Sequence, residues 1–87
     1  MSNETPEQLT VIARAPFHIY YEGPALSVTA QNKVGVFDIL PGHADMFSVL
    51  VPCEIVIETA DNEPVVFDIN SGILTVRHEE VMIFIDV

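Results

Sequence analysis

The chain has 87 residues, of which 49% are hydrophobic and 18% are charged. This length allows one small domain, and this composition excludes an intrinsically disordered chain. Thirteen acidic and three basic residues give a formal net charge of −10, which repels nucleic-acid phosphates and anionic lipids. The single cysteine, Cys53, excludes an internal disulfide, and no histidine or aspartate stands in a spacing that would make it a nucleophile.

The chain begins with a polar, acidic segment over residues 1–8, which has the composition of neither a signal peptide nor a transit sequence. We expect this segment to be a frayed arm and residues 9–87 to form the domain. The apolar run at residues 81–85 has the length of a strand and is too short to cross a bilayer. We therefore expect no direct insertion into a membrane.

The apolar residues recur with the period of β-strands. Apolar and polar residues alternate over residues 26–30. Residues 34–40 predict a short buried strand that ends in a turn at Pro41 and Gly42. Residues 46–51 fit a strand better than a helical turn, because β-branched residues dominate their end.

Two hairpins are predicted in the second half of the chain, each with polar turn residues between its strands. The predicted pairs are residues 54–58 with 65–69, and residues 73–76 with 81–85.

Strands that recur about every eight to twelve residues, with Gly, Pro, Asn and Asp between them, predict an all-β fold. The expected architecture is an antiparallel two-sheet β-sandwich or flattened barrel. We expect Phe37 and Phe84 to point into its core, where replacing either one with alanine would cost about 3 to 5 kcal/mol.

His43 follows Pro41 and Gly42 and therefore stands in a turn, where a histidine is most often an ordinary surface residue. His18, His43 and His78 are separated by 25 and 35 residues, which is not a metal-ligand spacing. The sequence has no glycine-rich phosphate loop that opens a helix. It therefore predicts no catalytic residue, no metal site and no cofactor.

The run Gly-Val-Phe-Asp-Ile-Leu-Pro-Gly-His-Ala-Asp at residues 35–45 resembles the G-x-F-G-I-L-P-G-H-A-P segment of the ε subunit of F-type ATP synthases, which is called δ in mitochondria. That segment belongs to the N-terminal β-sandwich of the subunit. The resemblance covers roughly residues 9–87. In the first half of the chain, residues 9–16 resemble the family's first strand, residues 21–23 the turn after it, and residues 25–30 its next strand. In the second half, residues 50–55 resemble the family's L-x-P-G-x-I segment and residues 69–76 its s-G-G-f-l-e-V segment.

The resemblance implies a non-catalytic rotor subunit of a proton-translocating F-type ATP synthase. In that family the sandwich belongs to the central stalk, fastens the γ subunit to the c-ring and helps to transmit rotation for ATP synthesis. The implied partners are the γ subunit and the c-ring. The implied location is peripheral, at the cytoplasmic face of the membrane, in a bacterium rather than an organelle.

Members of the family carry a C-terminal hairpin of two helices after the sandwich. This sequence ends at Val87, where its last strand is predicted to end, so we expect the fold without the hairpin. We therefore expect no tight nucleotide binding, because the helices that bind ATP in some relatives have no counterpart here. A naturally short subunit and an excised domain are both compatible with the sequence.

Residue by residue, the resemblance assigns one segment to the c-ring side and one turn to the γ side. The c-ring side comprises Lys33, Val34, Gly35, Val36, Phe37 and Asp38, and the γ side comprises Pro41, Gly42 and His43. Two positions depart from the family, because Val36 replaces a residue that is often polar and Asp38 replaces a usual glycine. Asp38 either pairs with an Arg or Lys of the ring or is simply an outward-facing strand residue.

A second class of function stays open at the level of sequence. A free-standing β-sandwich that binds some other protein would have the same periodicity, since this architecture alone does not define a function. An enzyme is the third alternative.

Overall fold

The computed structural model describes residues 8–86, and every regular element in this range is a strand. Residues 1–7 of the predicted N-terminal arm lie outside the described residues. The strands are β1 (Leu9–Ala15), β2 (His18–Ala25), β3 (Ser27–Asn32), β4 (Gly35–Ile39), β5 (Met46–Leu50), β6 (Cys53–Glu58), β7 (Val65–Ile69), β8 (Ser71–Arg77) and β9 (Glu80–Asp86).

The strands form two sheets, which confirms the predicted two-sheet architecture. One sheet has five strands in the order β2-β1-β9-β8-β5, and the other has four in the order β4-β3-β6-β7. The predicted strand at residues 46–51 and both predicted hairpins are present as β5, β6–β7 and β8–β9. Over residues 8–86, no helix has the length and hydropathy needed to span a membrane.

One pairing departs from the antiparallel pattern. Strand β1 pairs with β9 in parallel, with Val11 opposite Val81 and Ala13 opposite Ile83. These strands come from the two ends of the domain, so their pairing needs no tight connecting turn and either direction is allowed.

The turn predicted at residues 21–23 is wrong, because these residues lie inside β2. Tyr21 pairs with Ala13 and Glu22 pairs with Ile12 on β1, so the backbone continues the ladder through this segment. The chain reverses earlier, at Pro16 and Phe17, which form the two-residue turn between β1 and β2 because Ala15 pairs with His18.

Inward-pointing side chains from both sheets form one core. Its buried members are Leu9, Val11, Ala13, Ala25, Val28, Ala30, Ile39, Leu50, Ile55, Ile57, Ile69, Leu74, Val76, Val81, Ile83 and Ile85. Within residues 8–86, no buried side-chain nitrogen or oxygen lacks a hydrogen-bond partner. A core of this kind gives a stiff body, because dense packing resists deformation.

The expectation of a short buried strand at residues 34–40 is wrong in its burial. Ile39 is buried and Phe37 packs against the core, which confirms the inward direction predicted for Phe37. Val34, Val36 and Leu40 are exposed, since alternate residues of a strand point to opposite faces and Val34 and Leu40 flank the strand.

The inward direction predicted for Phe84 is also wrong. In β9 the buried residues are Val81, Ile83 and Ile85, whereas Met82 and Phe84 point outward. Phe84 remains 50% exposed. All five residues are apolar, so the sequence pattern could not show which of the two alternating sets faces the core.

Candidate protein-interaction site

The outer face of the five-stranded sheet is unusually apolar. We call it the apolar face, and it is defined by six outward-pointing residues from four strands. These residues are Ile12 on β1, Phe47 and Val49 on β5, Ile73 on β8, and Met82 and Phe84 on β9.

The strand register makes this surface continuous. Val49 lies opposite Ile73, and Ile73 lies opposite Phe84. Side chains directly opposite each other on one face of a sheet are neighbours in contact distance. Phe47 and Val49 are 64% and 61% exposed, so this row of apolar side chains meets solvent rather than protein. Contiguous exposed apolar surface of this kind marks an interaction site.

Two of the three basic residues of the chain also lie on this face, together with the carboxylates of Glu22, Glu80 and Asp86. Arg14 on β1 lies opposite Phe84 on β9, and Arg77 is an outward residue of β8. A cleft of about 570 Å³ runs between Arg14, Val49, Ile73 and Phe84. The Arg14 guanidinium donates hydrogen bonds to the carbonyl oxygens of Ala15 and Pro16 at 3.3 and 3.2 Å, which holds the charge at one end of the cleft.

The outer face of the four-stranded sheet has the opposite character. We call it the acidic face, and its charged outward residues are Asp38, Glu54, Glu58 and Asp68. The four strands β3, β4, β6 and β7 contain no basic residue. Glu54 lies directly opposite Asp68, a pairing of like charges that stabilises neither residue. The apolar face is therefore suited to burial against another protein, whereas the acidic face is suited to contact with water.

Asp38 is an outward-facing strand residue on the acidic face. Its Oδ1 accepts a hydrogen bond from the Thr29 hydroxyl at 2.6 Å, and Thr29 is its cross-strand neighbour. This hydrogen bond gives the Asp38 carboxylate a partner within its own sheet.

The turn between β3 and β4 projects from one end of the sandwich. We call Lys33 and Val34 the tip, because both are exposed and Val34 is 96% exposed. A cleft of about 460 Å³ separates the tip from Phe47 and Val49 of the apolar face. The tip is therefore adjacent to the apolar face, and Lys33 adds the third basic residue to this side of the molecule.

The turn that contains His43 is fixed by two carboxylates. Glu79 Oε1 accepts a hydrogen bond from the Gly42 amide at 3.0 Å. Asp45 Oδ1 accepts one from the His78 amide at 2.8 Å. These two bonds join the β4–β5 connection to the β8–β9 turn, so His43 is carried by a fixed loop.

The two groups of residues assigned from the sequence do not form one surface. The tip precedes β4 and His43 follows it, and a strand of five residues spans about 16 Å. Phe37 belongs to the core side of β4, whereas Val36 and Asp38 belong to the acidic face. Only Lys33, Val34 and Gly35 of the predicted c-ring segment thus lie at the end of the sandwich.

Two other kinds of chemical site, a metal centre and a reactive cysteine, have little support among the described residues. No group of three or more His, Cys, Asp or Glu side chains within residues 8–86 is arranged to hold a metal ion. Cys53 is half-buried, and its thiol lies 3.9 Å from the Gln31 carbonyl oxygen. Burial is the main cause that raises the pKa of this thiol, which makes it less reactive than a free cysteine.

Residues 6–87 match the family described as "ATP synthase, Delta/Epsilon chain, beta-sandwich domain". The chain belongs to this family. The resemblance of residues 35–45 is thereby confirmed across almost the whole sequence.

Among sequence relatives of this family member are two bacterial proteins named ATP synthase epsilon chain. The one from Xanthomonas euvesicatoria is 36% identical over 66 residues, which cover 76% of this chain and 47% of the relative. The one from Micrococcus luteus is 36% identical over 63 residues, which cover 72% of this chain and 69% of the relative. The chain thus spans about half the length of the Xanthomonas relative and a larger share of the Micrococcus relative.

Two solved structures share the fold at low sequence identity. A chain in the structure of the Euglena gracilis mitochondrial ATP synthase, OSCP/F1/c-ring in rotational state 1, matches with a TM-score of 0.85 and 18% identity, over 98% of this chain and 54% of that chain. A chain of the central stalk/c-ring of the Tetrahymena thermophila mitochondrial ATP synthase matches with a TM-score of 0.78 and 17% identity, over 98% of this chain and 67% of that chain. These similarities show that the β-sandwich is the same.

Sequence reasoning missed the apolar face. The available signal was the unbroken apolar run at residues 81–85, since a strand that is apolar at every position is typically covered on both sides. One side of β9 is covered by the core, and the other side is exposed at Met82 and Phe84.

Proposed function

We propose that this epsilon-family chain is a non-catalytic rotor subunit of a proton-translocating F-type ATP synthase, which fastens the γ subunit to the c-ring. The observation that carries the proposal is the apolar face, a continuous surface that is suited to burial against another protein. The names of the bacterial relatives and the assemblies that contain the structural neighbours support this choice of complex.

The proposed role is mechanical. A subunit that links two partners deforms little under load when its interior is densely packed, and two sheets around one core provide such a body. The chemistry of ATP formation belongs to other subunits in this proposal. The chain then needs no cofactor and binds no nucleotide tightly.

We assign the γ subunit to the apolar face and to the turn of Pro41, Gly42 and His43. The turn is held against the β8–β9 hairpin by Glu79, and β8 and β9 supply half of the apolar face. A partner that covers the face can therefore reach the turn without any rearrangement of the sandwich.

We assign the c-ring to the tip and the adjoining Gly35, at the other end of β4. In this arrangement the tip and the His43 turn lie at opposite ends of β4, the apolar face borders the tip at Phe47 and Val49, and the sandwich links the two partners. The chain would be held at the cytoplasmic face of a bacterial membrane by the ring, as a peripheral subunit.

The proposal is tested by a matched pair of substitutions. Val49 on the apolar face and Val66 on the acidic face are both exposed strand valines, at 61% and 50%. We expect Val49→Ser to weaken binding to the γ subunit of the same organism by about tenfold, as measured by calorimetry, because it removes a buried contact from the interface. Val66→Ser should leave the affinity unchanged. Equal affinities of the two variants would exclude the apolar face as the γ site.

Cross-linking tests the c-ring assignment. In a Cys53→Ser background, a cysteine at Val34 and a cysteine in a c-ring loop should form a disulfide in the assembled complex, which requires Cα atoms within about 7 Å. A cysteine at Val66 serves as the control and should form none. Cross-links from position 66 but not from position 34 would show that the acidic face, and not the tip, lies against the c-ring.

A further inference from the structure

The side chain of Asn32 organises the whole β3–β4 turn. Its Oδ1 accepts hydrogen bonds from the backbone amides of Val34 and Gly35, at 2.9 and 3.2 Å. Its Nδ2 donates to the hydroxyl of Ser48 on β5, at 3.1 Å. One amide group thus closes the turn and attaches it to the opposite sheet.

Ser48 is the other half of this anchor. It is buried in β5 between the outward residues Phe47 and Val49, and it is only 6% exposed. A second bond lies beside it, because the Val51 amide donates to the Gln31 carbonyl oxygen at 3.1 Å. The base of the turn is therefore fixed by two bonds between β3 and the β5 segment, while the two tip residues point away from the body.

Binding through a turn that is fixed in this way costs little conformational entropy. Flexible loops must be ordered on association, and a turn closed by its own side chain has already lost that freedom. Asn is suited to this position because its side chain accepts from backbone amides two and three residues later, which is the Asx-turn arrangement. The exposed groups at the tip are an apolar valine and a lysine ammonium.

We propose that Asn32 is a positioning residue that holds Lys33 and Val34 as a preformed docking tip, and that this tip takes a polar loop offering an apolar contact to Val34 and a carboxylate to Lys33. The inference rests on the proposed function, in which the tip faces the c-ring. It adds to that function the residue that positions the contact and the chemistry of the partner loop.

Charge complementarity gives the reason for a carboxylate. Lys33 is one of three basic residues in a chain of net charge −10. All four charged outward side chains of the acidic face are carboxylates, so an acidic loop approaching that face would be repelled. The same loop is attracted only where a basic residue projects, and at this end of β4 that residue is Lys33. The tip thereby sets the position at which an acidic loop can bind.

The first measurement concerns the turn alone. We expect Asn32→Ala to accelerate hydrogen exchange of the Val34 and Gly35 amides by about tenfold or more, because their acceptor is removed. Asn32→Asp keeps an acceptor oxygen and should restore the protection of both amides. Asn62→Ala, in the exposed β6–β7 loop, is the matched control and should change neither amide. Unchanged exchange in Asn32→Ala would overturn the positioning role.

The second measurement concerns the partner, with the purified c-ring of the same organism as the probe. We expect Asn32→Ala to weaken ring binding by about tenfold. Lys33→Gln should keep the amides protected, weaken ring binding and reduce its dependence on salt, since one ion pair is lost. For Lys33→Gln, binding to the γ subunit should stay unchanged, because the substitution leaves the apolar face intact. Asn32→Ala removes the bond to Ser48, which lies between Phe47 and Val49 of the apolar face, so its effect on γ binding should be smaller than its effect on ring binding.

The outcomes separate the two proposals. If the wild-type chain binds the γ subunit and the ring, and both variants bind the ring as the wild type does, the docking tip is excluded while the rotor function stands. If Lys33→Gln binds the ring more tightly, the partner loop presents a basic group and the proposed chemistry is wrong. If the wild-type chain binds neither partner, the rotor function is excluded together with the tip.

Discussion

Phe84 on β9 lies directly opposite Ile73 on β8, and both side chains point away from the core. Each is flanked on its own strand by buried residues, such as Ile83 beside Phe84. The strands that build the centre of the five-stranded sheet thus carry apolar residues on both faces. One face holds the sandwich together, and the other is available to a partner.

Substitutions at the adjacent positions Ile83 and Phe84 should therefore affect different properties, stability at Ile83 and partner binding at Phe84. Ile83→Ala should lower the free energy of unfolding by about 2 to 5 kcal/mol, because it opens a cavity at a fully buried site. Phe84→Ala should cost only about 1 kcal/mol, since half of the side chain is already in water. Urea denaturation of the two variants measures the difference. A cost for Phe84→Ala as large as that for Ile83→Ala would mean that the outer face is covered in the isolated chain.

The hairpins and the two-sheet class could be predicted from the sequence because their signals are local. Strand-length apolar runs and polar turn residues lie within a few residues of each other, as in residues 54–58 and 65–69. The turn expected at residues 21–23 came from the family resemblance and was misplaced. The chain reverses at Pro16 and Phe17, and residues 21–23 continue the hairpin ladder with β1.

The candidate site could be predicted only in part. The family resemblance assigned Lys33 and Val34 to the c-ring side, whereas the apolar pattern placed Val34 in a buried strand rather than in an exposed turn. The apolar run at residues 81–85 indicated an apolar outer side for β9, but the extent of the apolar face could not be predicted, because Val49, Ile73 and Phe84 come from three strands and meet only through the register. The Asn32–Ser48 hydrogen bond likewise joins residues from different sheets, 16 positions apart in the chain.

Gly72 is required by a close backbone approach. A Cβ atom at this position would lie 2.7 Å from the carbonyl oxygen of Phe84 on the neighbouring strand. We expect Gly72→Ala to destabilise the domain by about 1 to 3 kcal/mol, because one strand must shift to relieve the overlap. Asn70→Ala, at the exposed β7–β8 turn, is the control and should stay within about 0.5 kcal/mol of the wild type. Thermal unfolding of both variants decides the matter, and equal midpoints would show that the strands have room to separate.

The facing carboxylates of Glu54 and Asp68 should reduce stability. Removing one charge by Glu54→Gln is expected to stabilise the domain by up to about 1 kcal/mol, because like charges directly opposite in a sheet repel. The gain should shrink in high salt, which screens exposed charges. Glu22→Gln is a matched control, since Glu22 lies opposite the apolar Ile12. A gain in Glu22→Gln of the same size would assign the effect to net charge rather than to the pair.

Cys53 should be a slow nucleophile in the folded chain. Burial, the largest cause, together with the carboxylate of Asp68 raises the pKa of the thiol, and a hydrogen bond with the backbone of Gln31 opposes this only in part. At neutral pH we expect its reaction with a thiol reagent to be slower in the folded protein than in urea. Because the folded pKa lies above the unfolded one, the associated stability is complete below the unfolded pKa and is lost as the pH rises through the folded pKa. Cys53→Ser removes this alkaline dependence, and a wild-type curve that matches the variant would contradict the raised pKa.

The last prediction concerns the tautomer of His43. Its Nδ1 lies 2.7 Å from the carbonyl oxygen of Ala44, and a carbonyl oxygen only accepts, so Nδ1 must carry the proton in this contact. The neutral imidazole then presents Nε2 as a hydrogen-bond acceptor, which would suit an N–H donor on the γ subunit in the proposed assembly. Long-range proton–nitrogen NMR of the free chain should show the Nδ1–H form of His43 in excess. His18, whose ring instead packs edge-on against Tyr20 at a centroid distance of 4.6 Å, is the internal comparison. If neutral His43 is found mainly as the Nε2–H tautomer, the contact with Ala44 does not persist in solution, and His43 would offer the γ subunit a donor instead.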